Sequence, residues 1–118
     1  MISNIKGIGI DMVSFKEIEP RISDAFVKRV LSPQERALYD AFKHPTRKLE
    51  FIAGRFAGKE AFVKAYQHFQ EPLNFNQVSI LPNQYGAPEI DCDCLTTVGL
   101  HISISHTNEH AIAIVIRT

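Results

Sequence analysis

An α+β fold in a single domain spanning residues 1–118 is predicted by three features of the sequence. Residues 5–13 alternate with period two, the middle of the chain is punctuated into helices, and residues 100–116 hold two apolar runs around a turn. The length suits one hydrophobic core and not two. Apolar residues make up 45% and thirteen acids balance thirteen bases, a composition that excludes a disordered chain and gives no basic excess for general nucleic-acid binding. The start lacks a basic segment leading into an apolar run, and no apolar stretch approaches the roughly 20 residues of a membrane span. A cytosolic protein with no membrane or nucleic-acid partner is expected.

The N-terminal strand places Ile8, Ile10 and Met12 on one side and Gly7, Gly9 and Asp11 on the other. Two positions without side chains let another backbone or a ligand approach the side that carries the acid. A helix packed tightly on the sheet, with Asp11 merely ending the strand, explains the same residues. Between Ser14 and Phe26 the helical register of Phe15, Ile18 and Ile22 is interrupted by Pro20, which predicts two short helices or turns. Ser32, Pro33 and Glu35 make a capping-box start for a helix to about Phe42. Lys43-His44-Pro45 breaks that helix, Thr46 is the expected cap of the next, and the long central helix is expected to reach about Phe69. Strands follow at Val78–Leu81, at Ala87–Ile90 on an edge because Pro88 cannot donate, and at Leu100–Ser105. Ala111–Ile116, with little polarity on either face, is predicted to lie inside a C-terminal antiparallel sheet. Cys92 and Cys94, two residues apart, read as reduced thiols. His44, His68, His101 and His110 read as surface, strand-face or turn residues.

One carboxylate is misplaced on the central helix. At about 100° per residue, Leu49, Ile52, Ala53, Phe56 and Val63 gather on one face, and Glu60 falls in its middle. Phe51, Phe62 and Tyr66 lie roughly opposite, so the helix is either central in its own domain or shared with a neighbouring subunit. Unless the stripe edge reaches solvent, Glu60 needs Lys64, a proton or a bound cation as partner. A surface pair with Lys64 contributes only about 0.2–0.5 kcal/mol, whereas desolvating an ion costs several kcal/mol.

Three signals stand together: Asp11 at a glycine-lined strand end, Glu60 on an apolar helix face, and Ser103-Ile104-Ser105-His106 at another strand end. Two carboxylates with few other ligands suit Mg²⁺, which keeps several waters and is completed by substrate phosphates. Lys59, Lys64 and His106 can supply charge or hydrogen bonds to the same phosphates. The constellation points to phosphate chemistry.

Gly7-Ile8-Gly9-Ile10-Asp11, Phe56-Ala57-Gly58-Lys59-Glu60-Ala61-Phe62-Val63-Lys64-Ala65 and Ile102-Ser103-Ile104-Ser105-His106-Thr107 together resemble the three motifs of the holo-acyl-carrier-protein synthases, small 4′-phosphopantetheinyl transferases. The resemblance covers essentially the whole chain. It implies a 4′-phosphopantetheinyl transferase-like domain that moves the 4′-phosphopantetheine arm of coenzyme A onto a serine of an apo acyl carrier protein, in fatty-acid biosynthesis, releasing adenosine 3′,5′-bisphosphate. It also implies Asp11 and Glu60 as Mg²⁺ ligands, Lys64 beside the reacting phosphate, and Arg55, Lys59, Ser105 and His106 in or near the coenzyme A pocket. The family is typically a homotrimer with active sites between subunits. One departure is Glu17, where an arginine that meets the acidic carrier is common; Lys16, Arg21, Lys28 and Arg29 are the expected docking patch. Gly58 stands where alanine is usual, at a helix-propensity cost of about 1 kcal/mol. A binding module that lost its chemistry is the alternative, and the joint presence of Asp11, Glu60 and Lys64 favours the enzyme.

Overall fold

The computed structural model describes residues 4–66, 73–92 and 99–118. The order of elements is β1 (Gly7–Ser14), α1 (Phe15–Ile18), α2 (Asp24–Val30), α3 (Pro33–Ala41), α4 (Pro45–Tyr66), β2 (Val78–Pro82), β3 (Pro88–Cys92), β4 (Leu100–His106) and β5 (His110–Arg117). Short 3₁₀ turns at Glu19–Arg21 and Phe75–Gln77 precede α2 and β2. Among the described residues the strands form two antiparallel sheets, β1-β5-β4 and β2-β3. The single C-terminal sheet expected from the sequence is therefore divided, and β1 joins its larger part.

Local signals set the helix starts. The Ser14 and Ser23 hydroxyls accept from the backbone N–H groups of Glu17 and Phe26, and Ser32 and Glu35 complete a reciprocal capping box. Pro20 sits in the 3₁₀ turn that separates α1 from α2. Thr46 is not the cap of α4. The helix begins one residue earlier at Pro45, whose missing N–H and preset φ suit a first helical position, and the His44 carbonyl accepts from Lys48.

Helix α4 is the centre of the domain. One side packs on β1, β5 and β4, and the other meets α1, α2, α3 and β2. Its deepest residues include Ile52, Ala53, Ala57, Ala61, Phe62 and Ala65, whereas Leu49, Phe56, Val63 and Glu60 are half-buried. Glu60 with Leu49, Phe56 and Val63 thus forms the rim of the buried surface, while Ile52 and Ala53 of the same stripe and the small residues on its flank form the floor.

Those small residues explain Gly7 and Gly9. A Cβ built on either would lie 1.8 Å from a backbone carbonyl oxygen of α4, Ala65 for Gly7 and Ala61 for Gly9. The glycine side of β1 is therefore the inner side, and Ile8, Ile10 and Met12 face outward, with Met12 63% exposed. β5 is the middle strand as its apolarity predicted, yet Ile112 and Ile114 on its outer face are also exposed. Gly58 has a packing reason as well, since its Cβ would meet Ile80 Cδ1 at 2.7 Å and Ile102 Cδ1 at 3.1 Å.

On the opposite side of α4 a buried ion pair joins Lys59 to Glu35, both without solvent exposure. Lys59 Nζ also donates to the carbonyls of Val30 at 2.6 Å and Phe75 at 2.9 Å. The Glu35 carboxylate accepts in addition from the N–H groups of Ser32 and Ile80, each at 2.8 Å. Burial pushes the Lys59 ammonium below its ordinary pKa, while Glu35 acts to keep it charged. Every oxygen and proton of the pair has a partner, the condition under which such a pair is tolerated in a core.

Cys92 carries a disulfide where the sequence predicted a thiol. Cys94 lies outside the described residues, as do His68 and the helix end expected near Phe69.

Gly9→Ala is expected to lower the unfolding free energy by about 3 kcal/mol or more, because a methyl group there must displace helix backbone. Gly54→Ala, whose Cβ would meet only Ile104 Cγ2 at 3.2 Å, is expected to change it by less than about 1 kcal/mol. Urea unfolding of both variants checks the pair, and equal midpoints would contradict the close approach of β1 to α4.

Candidate active site

The inward side of β1 ends at Asp11, and the rim of α4 presents Glu60 to it. Together with Ser14, Glu17, Arg21 and Phe56 they line a cleft of about 270 Å³. Burial pushes the Glu60 carboxyl above its ordinary pKa, the Asp11 carboxylate pushes it further, and Lys64 and Arg21 pull it back. Two acids therefore share a site that leaves one of them short of positive charge. Lys64, four residues on from Glu60, pairs instead with Asp11: its Nζ lies 3.4 Å from Asp11 Oδ1 and donates to the Ile10 carbonyl at 2.9 Å. A second cavity of about 320 Å³ shares Arg21, Phe56 and Glu60 with the first and adds Arg29, Leu73 and Phe75.

The donor set fits a hard divalent cation that keeps most of its own ligands. Asp11 and Glu60 supply carboxylate oxygens and excess negative charge, and among the described residues no group of three or more His, Cys, Asp or Glu could hold a metal alone. Substrate oxygens and water would have to complete the coordination. Asp11, Glu60 and Lys64 are the predicted residues that the structure brings together.

Arg55 and His106 meet elsewhere, in a cleft of about 450 Å³ that also includes Arg47, Glu50, Gly54 and Gly86. Arg55 Nε donates to the Ile80 carbonyl at 3.1 Å, and its guanidinium lies 4.1 Å from the centre of the Phe51 ring. His106 Nδ1 is 3.5 Å from Glu50 Oε2, and Glu50 in turn is 3.9 Å from Arg47. The cleft thus presents two guanidinium groups and an imidazole beside one carboxylate, a surface suited to an anion. Arg55 and Glu60 are five residues apart on α4, about 7.5 Å along the axis and roughly 140° around it, so the two clefts open from different faces.

The remaining two expected binding residues are in neither cleft. The ammonium of Lys59 is consumed by Glu35, Val30 and Phe75 inside the core, because position 59 falls on the α3 side of α4. Ser105 is exposed on the outer face of its sheet, since the alternation that turns Ile104 and His106 toward α4 turns Ser103 and Ser105 away. Arg47, Glu50 and Glu35 were not legible as site or core charges. Glu35 in particular was fully explained by its capping box, which left no residual signal of a second role.

A family model described as the 4′-phosphopantetheinyl transferase superfamily matches residues 7–115. A holo-[acyl-carrier-protein] synthase of Petrotoga mobilis is 36% identical over 117 residues, covering 92% of each chain. Another, from the Onion yellows phytoplasma, is 39% identical over 118 residues, covering 95% of this chain and 93% of its own. The crystal structure of the Bacillus anthracis holo-(acyl-carrier-protein) synthase, in complex with CoA (3′,5′-ADP), superposes with a TM-score of 0.82 at 35% identity, covering 98% of this chain and 97% of its own. The Helicobacter pylori holo-[acyl-carrier-protein] synthase in complex with coenzyme A gives 0.77 at 34% identity, covering 94% of this chain and 99% of its own. With the glycine-lined acid of β1, the Glu60 and Lys64 of α4 and this similarity along nearly its whole length, the chain belongs to the 4′-phosphopantetheinyl transferase superfamily.

Proposed function

We propose that this protein transfers the 4′-phosphopantetheine group of coenzyme A to a serine of an apo acyl carrier protein, releasing adenosine 3′,5′-bisphosphate. The observation that carries the reading is the cleft shared by Asp11 and Glu60, with Lys64 paired to that same Asp11, in a fold shared with holo-acyl-carrier-protein synthases. The carrier serine oxygen forms a bond to the β-phosphorus and gives up its proton to solvent as the bond from that phosphorus to the bridging oxygen breaks, and the bridging oxygen leaves with the nucleotide and the bond's electron pair. Asp11 and Glu60 would hold Mg²⁺, which supplies Lewis-acid neutralisation of a pyrophosphate when bound. Lys64, held by the Ile10 carbonyl and Asp11, places an ammonium where it can bind a phosphate oxygen and steady the negative leaving group. Arg55 and His106, with Arg47, offer the second cleft to the anionic nucleotide end.

The association state we propose is a homotrimer. Ile8, Ile10, Met12, Ile112 and Ile114 form one exposed apolar face across β1 and β5, of the kind that marks an interface. A second copy is the occupant that suits it, because active sites built between subunits would also let two clefts on different faces of α4 serve one coenzyme A. The carrier dock we assign to the basic patch of Lys16, Arg21, Lys28 and Arg29. Arg21 and Arg29 lean on the Phe26 ring, at 5.5 Å and 5.4 Å, beside the cavities that contain Glu60. A cytoplasmic enzyme serving fatty-acid synthesis follows from this partner.

Incubation with coenzyme A, Mg²⁺ and an apo acyl carrier protein should add one phosphopantetheine to the intact carrier mass, and EDTA should abolish the gain. Asp11→Ala should slow transfer by at least about 100-fold; transfer at the wild-type rate would remove Asp11 from the site.

Glu60 gives a prediction independent of turnover. Its pKa is raised on folding from the ordinary 4.5, so the penalty for charging it is absent below that value and fully present above the folded one. Glu60→Gln is uncharged at every pH and should melt higher than wild type at neutral pH without metal, the gap closing as the pH falls toward about 4. Added Mg²⁺ should raise the wild-type melting temperature and leave the variant's unchanged. A gap that does not vary with pH would refute the assignment.

For the assembly, Ile10→Asp with Met12→Asp should convert a trimeric mass to a monomeric one in light scattering with secondary structure retained. A wild-type monomer would refute the interface.

A further inference from the structure

We propose that Glu35 is a positioning residue for both substrates, holding Arg55 through Ile80 and Phe75 through Lys59. The inference rests on the proposed transfer reaction, since that reaction defines the two substrates. Capping α3 requires only one acceptor for the Ser32 N–H, and a neutral glutamine would supply it. Glu35 has more than this: a second oxygen bonded to the Ile80 N–H, and a full charge paired with Lys59, all without solvent exposure. Replacing such a buried pair by packed apolar residues is often neutral or stabilising, so a stability role is a weak explanation of it.

The first arm runs through β2. Ile80 donates its N–H to Glu35 Oε2 at 2.8 Å and accepts at its carbonyl from Arg55 Nε at 3.1 Å, so both polar groups of one residue point away from β3 and are held by side chains. Fixing Nε fixes the plane of the guanidinium against Phe51 and therefore the direction of its remaining N–H groups in the cleft with His106.

The second arm runs through Lys59. Its three acceptors are Glu35, the Val30 carbonyl and the Phe75 carbonyl, which uses every proton of the ammonium. Phe75 stands edge-on to Phe56, with ring centres 6.1 Å apart, and both line the cavity that contains Glu60. Lys59 and Glu60 are consecutive residues, so the bonds that anchor one also set the rotation of the helix that aims the other. One buried carboxylate thus supports the walls of two clefts that open from different faces, as buried partners do for the groups they orient.

The two arms separate experimentally. Lys59→Met removes the bridge to Phe75 and leaves the Glu35 oxygens in place to accept from Ser32 and Ile80. The KM for the carrier protein should rise about tenfold while the affinity for coenzyme A stays within about twofold. In Glu35→Leu with Lys59→Met, which leaves no buried charge, both should rise about tenfold, with kcat per folded molecule within about threefold of wild type. A merely structural role would lower the melting temperature and the active fraction and leave both KM values where they were; that result in the folded double variant overturns the proposal. Should the variants not fold, hydrogen exchange on the wild type decides it: coenzyme A should slow exchange of the Ile80 amide, and an unchanged rate overturns the proposal. Wild-type protein that binds coenzyme A but modifies no carrier would instead overturn the transfer reaction itself.

Discussion

The approach of α4 to β1 across Gly7 and Gly9 is the contact on which the rest of the structure depends. With no side chain at either position, the helix carbonyls of Ala61 and Ala65 occupy the space that a Cβ would need. The next inward residue of β1 is Asp11, and that same close approach brings its carboxylate to Lys64 and into the field of Glu60. A wedge at residue 7 or 9 would move Asp11 away from Lys64 and Glu60 without altering any of the three side chains. Backbone proximity, a packing property, thus becomes an electrostatic one.

Two consecutive charges on α4 show how a 100° step decides the fate of a side chain. Lys59 turns toward α3, where Glu35 and two carbonyls satisfy it fully in the core. Glu60 turns toward β1, where burial and a second carboxylate leave its charged form disfavoured. The first arrangement is rigid and complete, the second is open to a cation. Perturbed acids of the second kind cluster at functional sites because stability there has been exchanged for reactivity.

The larger sheet repeats this contrast between its faces. Inward residues are small or aliphatic apart from Asp11, His106 and Arg117 toward the strand ends, whereas the outward rows run Ile10, Ile114, Ser103 and Met12, Ile112, Ser105 across β1, β5 and β4. The apolar half of that outer face lies over β1 and β5 and the polar half over β4. Water contacts a surface of core composition on an otherwise ordinary domain, which gives association a driving force that the buried core no longer needs.

Local interactions were legible in the sequence. Period-two alternation placed β1, β4 and β5, the Ser32–Glu35 box and Pro33 started α3, Pro20 split the early helices, and Glu60 stood out against the apolar stripe. Each is decided within about four residues of itself. What approaches the glycine side of β1 was left open between a ligand and a tightly packed helix, because the helix that claims it, α4, lies about 50 residues further along the chain. The same limit hid the pairing of Glu35 with Lys59, 24 residues away, and the outward turn of Ser105. The sequence by itself determined the elements and their order, and it singled out the acids Asp11 and Glu60 with the base Lys64. Only the tertiary structure decided which charges are buried with partners and which remain for chemistry, since solvation and partnership depend on groups distant along the chain.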